Sequence, residues 1–197
     1  MSDFWTHFTF GLKHLWNFNA YTDILFLLAL TVPYEFKAWK KILILVSLFL
    51  AGHILALLLS VFNIVTIKTN ILSFIISIIL LIIALFNIIS AGKSGKKDNI
   101  TFIAIVSSVF GMLHGLGFAH YFNTITPQKP TDKLVPLFES ALGFGIGILI
   151  AVTAALLLAY VVQTLLKFSK RDWILIVSAF VCGVVLPMIV HSKFLNF

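Results

Sequence analysis

Long apolar runs, separated by short stretches containing Lys, Gly and Pro, make up most of the chain. Seven can be marked: A at 4–17, B at 21–34, C at 41–62, D at 69–89, E at 100–122, F at 134–166 and G at 173–191. C, D, E and G have the length of about 20 residues that a helix needs to cross the hydrocarbon core, and F is long enough to tilt or project beyond it. No period-2 alternation is visible, and a backbone in lipid is satisfied only in helices or closed barrels, so every run predicts a helix. A is aromatic-rich and short for a span, and B is also short, ending at Pro33. These two read as two short helices or as a re-entrant piece followed by a span. The expectation is an all-α, polytopic membrane bundle of six to seven transmembrane helices, forming a single integral membrane domain over residues 1–197.

Composition agrees with that solvent. The chain is 60% hydrophobic and 11% charged, with a mean hydropathy of +1.09. Soluble domains are about 45–50% apolar and about 25% charged. A net charge of +7 would raise nucleic acid as a partner in a soluble protein. Here the cations sit in short loops, where they set orientation, and no nucleic-acid partner is expected. Lys37, Lys40, Lys41, Lys93, Lys96, Lys97, Lys167, Lys170 and Arg171 fall in alternate loops, and the other loops and C-terminal end carry only Lys68, Lys129, Lys133 and Lys193. The richer side is expected in the cytoplasm, which turns the C-terminus outward. Cys182 is the single cysteine, so no intrachain disulfide forms. The N-terminus lacks the basic region and cleavage site of a signal peptide and is expected to be retained.

The candidate chemistry lies in the polar residues inside these runs. Burying an Asp at a helix centre costs about 2.5–3.5 kcal/mol on insertion scales, so each needs a reason. With the orientation above, His53 falls at mid-depth of C, His114 past the middle of E and Glu139 in the outer part of F. His14 and Asp23 are expected to flank the outer end of an A–B turn, with His120 and His191 near the outer surface. This favours one outward-facing polar pocket. Imidazole and carboxylate together bind Zn, Ni, Cu or Fe ions, and a site needs three or four converging ligands. The candidate metal ligands are His14, Asp23, His53 and His114.

Structural roles compete with each assignment. A membrane histidine can bridge neighbouring helices by a hydrogen bond, Asp23 can cap helix B, and Glu139 can reach the headgroups. His120 and His191 read as interfacial, and His7 has no assigned role. The spacings Gly111, Gly115, Gly117 and Gly143, Gly145, Gly147 predict close packing of E and F. Phe4, Trp5, Phe8, Phe10, Trp16, Phe18 and Tyr21 predict an interfacial aromatic belt.

Three stretches resemble the HupE/UreJ family of small bacterial membrane proteins. Gly11-Leu-Lys-His14 followed by Asp23-Ile-Leu-Phe is similar to the family's opening motif, and Leu48-Phe-Leu-Ala-Gly-His53 to its next histidine segment. Phe110-Gly-Met-Leu-His-Gly-Leu-Gly-Phe-Ala119 is the most specific match, and 142–148 is similar to a later stretch. The chain departs from the pattern at Ile24, Ile54, Asn70, Gly145 and Ile148, where the family carries polar residues. The resemblance implies a six- or seven-helix protein with a metal-permease role, usually for nickel. The stretches 42–49 and 100–109 offer only Ser47, Thr101, Ser107 and Ser108 as polar groups, which fits a one-sided site better than a channel. The leading expectation is a transporter or binding protein for a divalent transition metal. A non-catalytic membrane subunit or assembly factor with a membrane-protein partner is the first alternative. An intramembrane metal-dependent hydrolase, with Asp23 or Glu139 as general base, is the second.

Overall fold

The computed structural model describes residues 2–16, 21–92, 100–126 and 129–192. Among them are seven α-helices and no strand: α1 Ser2–His14, α2 Tyr21–Thr31, α3 Trp39–Val61, α4 Thr69–Ser90, α5 Ile100–Ile125, α6 Leu134–Leu165 and α7 Lys170–Val190. Five of them, α3 to α7, are long and apolar enough to cross a membrane. The expected helical membrane bundle is what the chain forms. Local signals set several ends. Ser169 and Asp172 form a reciprocal capping box that starts α7. Asn63, at a φ of 56°, ends α3 in the left-handed region, with the Ile64 N–H donating back to the Leu59 carbonyl.

Helix directions follow from which residues meet. Gly111 lies against the Phe49 carbonyl and Gly115 against that of His53, so α3 and α5 advance together and are parallel. A β-carbon at either glycine would strike the opposing backbone, and the close approach lets Ser107 Oγ donate to the Leu45 carbonyl at 2.8 Å. The α4 helix runs opposite to α5, since Phe86 meets Phe102 and Leu72 meets Gly117.

The short helices need the same treatment. Gly143 packs on the Phe8 carbonyl and Gly147 beside that of Leu12, so α1 runs parallel to the first half of α6. The end of α2, at Leu28, Thr31 and Val32, lies beside Ala155, Leu156 and Ala159 of the second half. Of the two expected arrangements, α1 and α2 are the two short helices and not a re-entrant piece followed by a span. They stack end to end along α6 as one crossing, interrupted between the end of α1 at His14 and the start of α2 at Tyr21. This corrects the expectation that His14 and Asp23 flank the outer end of a turn: the break sits half-way along the bundle. Hydropathy cannot separate the two arrangements, because two short helices have the same local pattern stacked or folded back.

With the broken crossing counted once, the bundle has six crossings that alternate in direction. Lys170 pairs with Glu35 at 3.2 Å, and Gly92 abuts the Arg171 side chain, so the α2–α3 connection, the end of α4 and the start of α7 share one end. We call this the Lys-rich end. Lys93, Lys96, Lys97, Lys193 and, from the aromatic belt, Phe18 lie outside the described residues.

Candidate metal centre

His14 comes from the last turn of α1, Asp23 from the first turn of α2, His53 from the middle of α3 and His114 from the middle of α5. The break in the first crossing brings the first two to the level of the others. Asp23 is 2% exposed, His53 0% and His114 6%, whereas His14 is only partly buried. His114 occupies the centre: its Nε2 lies 2.8 Å from Asp23 Oδ2, and its Nδ1 lies 3.0 Å from His53 Nδ1. One ligand atom each from His14, Asp23 and His114 falls within 4.8 Å of the others. His53 is not part of that group and stands behind His114.

The helix ends contribute to the local field. The C-terminal end of α1, with its partly negative carbonyls, is directed at the break and favours a cation there. Asp23 lies in the first turn of α2, at the partly positive N-terminal end of that helix. A tetrahedral ion with bonds of about 2.1 Å holds its ligand atoms about 3.4 Å apart. The His114–Asp23 pair therefore has to open by roughly 0.6 Å to admit an ion, while the wider pairs close. Two imidazoles and one carboxylate leave a fourth position for water or a second donor, the open arrangement that permits exchange.

Aromatic rings wall the site. Phe144 lies parallel to His114 with ring centres 4.8 Å apart and is 4.6 Å from His53. Towards the Lys-rich end, Phe26 stacks on Phe110 at 3.8 Å, with Phe49 5.5 Å from Phe26, and all three are buried. These rings separate the cluster from the half of the bundle where Asn87 binds the Ala29 carbonyl. On the opposite side His14 meets Phe118 and the exposed ring of Tyr121.

A model of the HupE/UreJ protein family matches residues 1–193. The chain belongs to the HupE/UreJ family. No curated protein and no solved structure matches it. In this HupE/UreJ protein, the resemblance drawn from the motif around His114 thus extends over nearly the whole chain.

The remaining polar residues separate from the cluster. His120 is exposed beside Tyr121, and His191 caps its own helix through the Pro187 carbonyl at 2.9 Å. His7, to which the sequence assigned no role, has its Nδ1 2.9 Å from Glu139 Oε2 and joins α1 to α6. A signal for His7 existed, since it precedes His14 by two helical turns and shares its face. The aromatic wall had none, because Phe144 looks like any other apolar residue of α6.

Proposed function

We propose that this HupE/UreJ protein binds a divalent transition metal ion as cargo at His14, Asp23 and His114, within a bacterial inner membrane. The observation that carries this reading is the convergence of those three donors, from three separate helices, inside a bundle whose other walls are aromatic. A membrane protein tolerates buried imidazole and carboxylate mainly where they serve a site. The donor set suits Ni, Zn, Cu or Fe, and nickel is the metal linked to the family. The Lys-rich end faces the cytoplasm by the positive-inside rule, so the site is approached from the outer side past Tyr121, and the C-terminus lies outside. The Phe26–Phe110 stack favours holding the ion and handing it on over an open channel. Inward transport requires these rings to part, and hand-over to a membrane-protein partner does not.

Metal content of detergent-purified protein, measured by mass spectrometry after incubation with each metal, tests the reading. Near-stoichiometric metal in the wild type, lost in His114→Ala, is expected. Wild-type protein that stays empty with nickel, zinc, copper and iron overturns it and leaves the histidines as packing residues.

A further inference from the structure

We infer that His53 is a positioning residue, one that orients His114 towards the ion without ligating it. The inference rests on the metal-centre reading above. His114 has two ring nitrogens and both are engaged, Nε2 at Asp23 and Nδ1 at His53. A neutral imidazole carries one proton. When Nε2 gives its lone pair to an ion, that proton sits on Nδ1 and is donated to the His53 Nδ1 lone pair, and His53 carries its own proton on Nε2. Among the described residues His53 Nε2 is buried and has no hydrogen-bond partner. The His53 ring lies against Phe144 and Phe118, with centres 4.6 and 5.3 Å away. Among the described residues its one polar contact is therefore with His114, and neither of its nitrogens joins the group that His14, Asp23 and His114 form.

The backbone supports the same role. Gly115 sits against the His53 carbonyl and Gly52 against that of Ser108, so α3 is locked in register with α5 on both sides of the contact. A ring held this way can turn little, so His114 Nδ1 keeps a partner that accepts its proton once Nε2 is turned from Asp23 to an ion. Such supporting partners around metal ligands typically change metal affinity about 10–100-fold when removed.

Two substitutions at one position separate the roles. His53→Asn places its Oδ1 near the site of Nδ1, where it accepts the same proton, whereas His53→Leu fills similar space and accepts none. The probe is cobalt(II), titrated into full-length protein in detergent, with the visible bands reporting ligand number and competition reporting affinity. The expected result is a wild-type spectrum and near-wild-type affinity for His53→Asn. His53→Leu is expected to bind about 10–100-fold more weakly with unshifted bands. Bands that shift in His53→Asn as they do in His14→Ala would make His53 a ligand and overturn the inference. Wild-type affinity in His53→Leu would overturn it as well, leaving a packing residue. The Asn variant decides between ligand and positioning residue even where the Leu variant does not elute as a single species. Wild-type protein that binds no cobalt removes the metal-centre reading itself, and this outcome differs from both of the others.

Discussion

A carboxylate at 2% exposure inside a lipid-embedded bundle needs compensation, and Asp23 receives it from His114 Nε2 at 2.8 Å and from the first turn of its own helix. Removing His114 takes away the hydrogen-bond partner of a buried carboxylate and costs about 1–3 kcal/mol, more if that carboxylate is charged. His114→Ala is therefore expected to lower the melting temperature in detergent, and adding Asp23→Asn in that background to recover part of the loss. Thermal unfolding of the two single variants and the double variant checks this, and additive losses would contradict the pairing. Asp23→Asn alone keeps the size of the side chain and removes its charge. It is expected to weaken metal binding more than loss of a supporting partner does, by over about 100-fold, in the cobalt titration. The sequence singled out Asp23 and His114 by their cost in lipid, but it could not show that they touch. Residues 91 positions apart meet only once α2 and α5 are packed, as the His114–Asp23 contact requires.

At the scale of elements, glycines decide how close the helices come. The spacing of Gly111 and Gly115 was read as packing between E and F, whereas these residues pack α5 on α3, and Gly143 packs α6 on α1. Small-residue motifs announce a close approach without naming the partner. Gly111→Ala drives a β-carbon into the Phe49 backbone and costs about 1–3 kcal/mol by overpacking. It is also expected to spread the His53–His114 contact and to weaken metal binding. Gly183 has nothing within 4 Å of an added β-carbon, so Gly183→Ala should leave both stability and binding at wild-type values. Equal effects of the two substitutions, in thermal unfolding and metal titration, would argue against the α3–α5 contact. The broken first crossing belongs to this scale too. A helix interrupted in the middle of a bundle is tolerated where its freed backbone groups line a site, and here the break lies between His14 and Asp23.

For the whole molecule, six alternating crossings put the start of α1 and the end of α7 at the same end, opposite the Lys-rich loops. The positive-inside rule then predicts that both termini face outward. Alkaline phosphatase fused after residue 197 is expected to be active on intact cells, and a fluorescent protein fused there to stay dark. The reverse pattern would turn the metal cluster and Tyr121 towards the cytoplasm and change the direction of any hand-over.

The sequence by itself determined the solvent, the helices and the loops that share a side, because hydropathy, span length and Lys placement are local properties of the chain. It also determined which polar residues demanded explanation, since their cost in lipid does not depend on their neighbours. Only the tertiary structure decided that α1 and α2 form one broken crossing, that His14, Asp23 and His114 converge, and that His53 stands behind them. The crossing helices are apolar on nearly every face, so no polar stripe in the sequence marks which side turns inward. Rotation and register come from the packing of particular glycines and aromatic rings, and these fix which nitrogen faces which oxygen.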